Sequence, residues 1–330
     1  MTAPGPTTAS GPEGSPADQA SALPPSADVV GSLSPSRASD FLTCPLLYRF
    51  RHVDRLPEVV SPDAVRGTVV HKVLELLFDL DAADRTAERS EAMLEPAWEQ
   101  VVAERPEIAA QFEADGLDHE AWLATCRTVL ARYFGLEDPR RLEPAERELY
   151  VETVTGSRLL LRGFVDRLDE APNGMLRVVD YKTGRSPRPG FEAKALFQMK
   201  FYALVLWRTR GVVPSVLQLV YLGDGVVVRY EPDEADLLAC ERKVEAVWEA
   251  ISEARTSGTW LPRKGPLCAW CSHRSLCPEY GGTPPPLPAA DVAPGAVDGP
   301  GPVDLPDPVS LPRPPGPEPG RSAPPPPPPA

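Results

Sequence analysis

Proline decides how much of this chain can fold. Of its 42 prolines, 26 fall in residues 1–32 and 284–330, which leaves 16 in the 251 residues between. A residue that fixes φ and lacks an N–H cannot recur inside helices or sheets. Residues 1–32, rich in Pro, Ser and Ala, and 284–330 are therefore expected to be disordered tails, the latter a solvating linker with Pro324–Pro329 in polyproline II. Residues 33–283 are expected to form one folded domain. Collagen is excluded because no Gly-X-Y period exists. The longest unbroken apolar run, Phe201–Trp207, is far short of the ~20 residues a membrane helix needs, so no membrane partner is expected. No Lys or Arg precedes Arg37 and no apolar stretch precedes Leu33, unlike a secretory leader. The expected location is the reducing cytoplasm, where six cysteines serve as ligands or core residues rather than disulfides.

The net charge is -13. Each tail holds -3 and the body -7, which counts against a general nucleic-acid coat protein, since that needs a basic face to release counterions. Local basic groups do occur at Arg49, Arg51, His52 and Arg55, at Arg185 and Arg188, and at Arg263 and Lys264. For any one of them a solvated surface is the commoner explanation.

Ser34-Pro35-Ser36 predicts a helix start carrying Phe41, Leu42 and Cys44. Ser61-Pro62-Asp63 predicts another, with Val69, Val70, Val73, Leu74 and Leu77 at helical spacing around His71. Two further helices are expected at about 90–105 and 118–134, so the first part of the body reads as helical. After residue 145 the pattern turns to strands: 148–154, 159–168 and 176–182 form a meander, with turns at Thr155-Gly156-Ser157 and Pro172-Asn173-Gly174. A helix over 191–210, a hairpin of 216–222 with 226–230, a long helix over 232–256 and a cysteine-rich segment over 260–280 follow. The expected class is α/β, a sheet covered by helices.

Gly163-Phe164-Val165-Asp166 and Val178-Val179-Asp180-Tyr181-Lys182 carry the strongest chemistry. A hairpin centred on Asn173 sets Asp166 opposite Asp180, with Cβ atoms about 4.5–5.5 Å apart, where like charges repel. A divalent cation resolves that conflict, and oxygen ligands suit Mg2+ or Mn2+. Strand alternation puts Lys182 on the Asp180 face. Two carboxylates, a cation and an ammonium suit phosphodiester hydrolysis, the cation activating water and neutralising phosphate, the lysine orienting water or stabilising charge. Acid-x-Lys alone discriminates little, because Glu192-Ala193-Lys194 and Glu241-Arg242-Lys243 also match. Those two fall in expected helices, where i and i+2 do not share a face. An edge hairpin with solvated acids is the bland alternative. His71 in an apolar helix is by itself more often a satisfied residue than a ligand, and Gln198 and Tyr202, one turn apart on one helix face, mean little alone.

Cys268-x2-Cys271-x5-Cys277-Pro278 places three thiols in ten residues. Four thiolates close a tetrahedral zinc site or hold a [4Fe-4S] cluster. Cys126 and Cys240 lie on apolar helix faces and read as core, whereas Cys44 is followed by Pro45 as Cys277 is by Pro278. A site using Cys44 would tie both ends of the body together. His52 and His273 keep a mixed structural Zn2+ site open.

Taken in order, Ser34-Pro35-Ser36 to Cys44-Pro45, Gly67 to His71, Gly163 to Asp166, Asp180-Tyr181-Lys182, Gln198 to Tyr202 and the three late cysteines resemble the RecB-type branch of the PD-(D/E)XK nucleases. Within it they resemble the iron-sulfur subgroup, which includes the CRISPR-associated RecB-like exonucleases, exonuclease V and the nuclease part of AddB. The resemblance covers about residues 33–280. It implies a restriction-endonuclease-like core, a central mixed sheet flanked by helices, with a helical N-terminal part and a C-terminal cysteine segment. It implies that His71, Asp166 and Asp180, with the Tyr181 carbonyl, bind catalytic Mg2+ or Mn2+, that Lys182 is the catalytic lysine, and that Gln198 and Tyr202 support the site and DNA. It also implies a [4Fe-4S] cluster on Cys44, Cys268, Cys271 and Cys277.

The expected function is a metal-dependent DNA exonuclease acting on single strands or duplex ends in repair or recombination. The alternative is a non-catalytic DNA-end-binding or assembly subunit of a helicase-nuclease complex, against which an intact Lys182 argues. No GxxxxGK[ST] loop is present, so any ATP-driven unwinding must come from a helicase on another chain.

Overall fold

The computed structural model describes residues 29–188 and 193–288. The chain opens with β1 (Gly31–Leu33), then α1 (Pro35–Thr43), α2 (Pro45–Tyr48) and a π-helical turn over Arg49–Val53. Next come α3 (Pro62–Leu77), α4 (Ala87–Ala92), α5 (Leu94–Glu104), α6 (Pro106–Ala114) and α7 (His119–Leu136). Strands β2 (Glu146–Val154), β3 (Leu159–Glu170) and β4 (Leu176–Lys182) lead to α8 (Ala193–Arg210). Strands β5 (Val216–Tyr221) and β6 (Val226–Tyr230), then α9 (Glu234–Ser257), complete the regular structure.

The serine-proline starts work as the sequence implies. Ser34 and Ser61 cap α1 and α3 by accepting the Arg37 and Ala64 N–H groups, with Pro35 and Pro62 in the first turn, where a missing N–H costs nothing. The single helix expected at 90–105 is instead α4 and α5, and α6 was not anticipated. Pro106 has no N–H to extend α5, so it opens a new helix.

The three-strand meander is present and longer than expected, since β2 starts at Glu146 and β3 runs to Glu170. The added residues, Glu146 and Arg147 in β2 and Asp169 and Glu170 in β3, are all charged, so they carry no apolar alternation to mark them. The six-stranded sheet runs β1-β3-β4-β5-β6, with β2 on the other side of β3. It is mixed: β1 lies parallel to β3 and β4 parallel to β5, and the remaining pairs are antiparallel. The parallel β4–β5 pair needs a crossover, and α8 supplies it.

One edge of β3 is shared by two partners. Leu159–Leu161 pair with β1, while Arg167–Glu170 pair with β4. Between them the sheet splits, and Asp166 sits at the lip of that split. Helices α1, α8 and α9 pack on one face over Leu161, Val165, Val178 and Leu219. Helices α3, α5 and α7 cover the other over Val179, Tyr181 and Val220. Cys240 and Cys126 are buried in these two cores as small apolar residues.

After Gly258, whose φ of 68° ends α9, the cysteine-rich segment folds back on the N-terminal helices. Trp260 stacks on Tyr48 at 5.9 Å, Arg263 donates to the Leu42 carbonyl, and His273 pairs with Glu58 at 2.8 Å. The edges of the body differ by a few residues from those expected. Gly31 and Ser32 belong to β1, Arg49 donates to the Pro285 carbonyl, and Leu287 packs over Gly258. The rest of the two expected tails, including Pro324–Pro329, lies outside the described residues. Among the described residues no helix is long and apolar enough to cross a membrane.

Candidate active site

The β3–β4 register is that of a hairpin centred on Asn173, but the ladder stops at Arg167↔Val179, one pair short of Asp166 and Asp180. The strands part there because the Asp166 carboxylate takes the place of a ladder acceptor: its Oδ2 accepts the Tyr181 N–H at 2.7 Å. Gly163 admits the helix that supports the site. A Cβ there would lie 2.7 Å from the Tyr202 ring, closer than packed atoms come, so only glycine lets α8 approach.

From the other face α3 brings His71 into the split, 7% exposed. Its Nε2 bonds the Tyr181 carbonyl at 2.8 Å. A carbonyl only accepts, so Nε2 carries the proton, and in the neutral ring Nδ1 presents a lone pair. That Nδ1 is buried without a hydrogen-bond partner, 3.5 Å from Asp166 Oδ2. Two acceptors facing each other in a buried place are a position for a cation.

Glu148 was not anticipated from the sequence. It lies in β2 between the pairs Arg147↔Arg167 and Leu149↔Val165, and its φ of 44° lifts it out of the ladder. This is left-handed backbone that a non-glycine residue adopts at a cost. Burial, then the neighbouring Asp166 charge, pushes its carboxyl up to about 8. One ligand atom each from His71, Glu148 and Asp166 lie within 4.8 Å of one another. Among the described residues no other group of three or more His, Cys, Asp or Glu is gathered so closely. Leu74, Glu75, Phe78, Tyr181 and the two arginines Arg147 and Arg167, which pair with Asp79 and Glu137, complete a narrow recess around them.

Asp180 is 1% exposed. Burial and the Asp166 charge raise its carboxyl to about 6, although Lys182 works against that. The Lys182 ammonium sits 2.9 Å from Asp180 Oδ2 and donates to Gln198 Oε1, also at 2.9 Å. Gln198 in turn donates to the Tyr202 hydroxyl at 3.1 Å. The residues singled out on four separate elements, α3, β3, β4 and α8, thus meet around Tyr181 and Lys182. Tyr202, expected to touch DNA, is only 6% exposed with its ring against Gly163. It has no open face on which a base could stack, and its contact is with Gln198.

The four cysteines of the expected cluster are half-buried, unlike the two in the cores. The Arg263 N–H points at Cys44 Sγ at 3.3 Å, and the Gly265 N–H at Cys268 Sγ at 3.4 Å. Such donors stabilise thiolates that hold a metal. His52 and His273 each turn Nε2 toward a carboxylate, that of Asp40 at 2.9 Å and that of Glu58 at 2.8 Å.

The family model described as the PD-(D/E)XK nuclease superfamily matches residues 32–278. The chain belongs to that superfamily, and its mixed sheet flanked by helices is the restriction-endonuclease-like fold. Two relatives, from Streptococcus equi subsp. zooepidemicus strains MGCS10565 and H70, are each named as a subunit of an ATP-dependent helicase/deoxyribonuclease and are 28% identical over 160 residues. Those matches take in 46% of this chain but only 14% of each relative. A crystal structure from Eubacterium rectale, described as a "Putative exonuclease", covers 81% of this chain and 95% of its own at 12% identity, with a TM-score of 0.49.

Proposed function

We propose that this PD-(D/E)XK protein is a Mg2+- or Mn2+-dependent DNA exonuclease of the RecB type, acting on single strands or duplex ends in repair or recombination. The observation that carries this is the convergence of His71, Glu148 and Asp166 on one point beside the Asp180–Lys182 pair. A divalent cation fits the unpartnered His71 Nδ1 and two carboxyls whose protons are held above their ordinary range. His71, Glu148 and Asp166 would hold it, with Asp180 and the Tyr181 carbonyl adjoining. Bound there, Mg2+ or Mn2+ supplies Lewis acidity toward a phosphodiester. Lys182, oriented by Gln198, which the Tyr202 hydroxyl holds, presents its ammonium to the attacking water or the developing phosphate charge. Gln198 and Tyr202 are supporting groups.

Cys44, Cys268, Cys271 and Cys277 hold a [4Fe-4S] cluster in this proposal. It predicts a brown, anaerobically prepared protein with about four irons per chain; stoichiometric zinc in a colourless sample contradicts it. The relatives named as helicase/deoxyribonuclease subunits support a helicase partner for this chain. The central test is cleavage of end-labelled single-stranded, blunt and flapped DNA with Mg2+ or Mn2+. Equal degradation by wild type and Asp180→Ala sinks the catalytic proposal.

A further inference from the structure

Arg167 follows Asp166 directly and is 1% exposed. A guanidinium removed from water is costly unless its donors are met, and a packed apolar side chain often serves stability as well. Its presence calls for another explanation, and its partners supply one. Its Nη1 and Nη2 donate to both Glu137 carboxylate oxygens at 2.8 and 3.0 Å, and its Nε lies 3.0 Å from Asp169. Nη1 also donates to the Tyr181 hydroxyl. Glu137, at the end of α7, is held in turn by Gln218 at 2.9 Å, and Gln218 by Arg229 at 2.9 Å.

Tyr181 is the point of interest. Its N–H meets Asp166 at 2.7 Å and its carbonyl meets His71 at 2.8 Å, so one residue gathers both groups. The ladder has already ended at Arg167↔Val179. Beyond it, two contacts span the parting strands at Tyr181: the Asp166 carboxylate on its backbone, and Arg167 on its ring hydroxyl. We infer that Arg167, braced by Glu137, is a positioning residue: it grips the Tyr181 hydroxyl so that the Tyr181 backbone holds His71 and Asp166 at cation-binding separation. This rests on the metal site proposed above.

The experiment is a Mn2+ titration, followed by electron paramagnetic resonance, of the full chain freed of divalent cations with its cysteine cluster kept loaded, alongside thermal melts. Tyr181→Phe removes the gripped hydroxyl and keeps the ring, so it tests the grip even where Arg167→Met fails to fold. Ile251→Ala, in the core on the opposite sheet face, is the control for lost stability alone. Tyr181→Phe is expected to weaken Mn2+ binding about 10–100-fold, the usual cost of removing a group that orients a ligand. Its melting temperature should fall no further than that of Ile251→Ala, whose affinity stays within about twofold of wild type. The apparent Mn2+ requirement for cleavage should rise in parallel, with the rate at saturating Mn2+ less affected. A folded Tyr181→Phe that binds Mn2+ like wild type overturns the inference, as does equal weakening in Ile251→Ala. Wild type that binds no Mn2+, or Asp166→Asn that binds it equally well, overturns the metal site and this inference together.

Discussion

Glu58 and Glu148 are both half-buried glutamates, yet one carboxyl is held down near 2 and the other is pushed up to about 8. At Glu58 burial alone would raise the value, but hydrogen bonds from His273 and Arg51 outweigh it. At Glu148 burial acts first and the Asp166 charge adds to it. The first cluster completes itself with the Arg51 guanidinium and the His273 ring and fastens the cysteine-rich segment to the N-terminal helices. The second gathers carboxylates around too few cations, and a charge from outside would complete it. A structural clasp is electrostatically satisfied; a site for a metal is left in deficit.

The largest effect that would break this contrast is catalytic. Asp180→Ala should lose metal-stimulated cleavage by about 10³-fold, corresponding to several kcal/mol of transition-state stabilisation, and should still fold cooperatively. End-labelled DNA assays and a thermal melt check both. Next, Glu58→Gln should cost about 1–3 kcal/mol by leaving His273 and Arg51 without their shared carboxylate. The Glu58 carboxyl lies below its ordinary value, so its stabilisation is present above pH 4.5 and is lost as pH falls toward about 2. The gap between wild type and Glu58→Gln in denaturant melts should therefore close on acidification.

The metal site should show the opposite slope. Glu148 and Asp180 hold protons above 4.5 and 3.8 in the folded state, so between about pH 4 and 8 the folded chain binds more protons than the unfolded one. Their contribution to stability then falls as pH rises through that window. In EDTA, Glu148→Gln should flatten the part of the melting profile that falls toward pH 8, and Mg2+ or Mn2+ should raise the wild-type melting temperature most at the alkaline end. A metal effect that does not grow with pH contradicts the deficit. The smallest expected effect concerns the C-terminal edge. Ending the chain after residue 288 should leave cleavage and stability unchanged, whereas ending it after 283 removes the Pro285 carbonyl from Arg49 and should cost about 1 kcal/mol. Melts of the two truncations decide it.

Much of the site was legible because it uses residue types whose chemistry is plain at short spacing. Asp180-Tyr181-Lys182, the Gly163–Asp166 run, and Gln198 with Tyr202 announce themselves through strand alternation and helix periodicity. Glu148 did not, since it is one of several acids in a charged strand, with Glu146 and Glu152 nearby. What selects it is a φ of 44°, which local composition does not signal. Arg167 stayed hidden for a related reason: a charge in a strand reads as solvated, and its burial among Glu137, Asp169 and Tyr181 depends on α7 lying over that face. Strand β1 is three residues long, too short for a pattern of its own, and exists because β3 offers it an edge.

Sequence by itself determined the helix starts at Ser34 and Ser61, the meander register and the membership of the chain in a nuclease superfamily. These follow from φ restriction at proline, N-cap hydrogen bonding, side-chain period and motif order, all of which act over a few residues. Tertiary structure alone decided where the sheet splits, that Asp166 bonds the Tyr181 N–H instead of facing Asp180 across a ladder, and that Glu148 completes the cluster around His71. Those outcomes depend on α3 reaching Tyr181 of β4 and α8 packing on Gly163 of β3, and no local rule encodes the competition between two partners for a single edge.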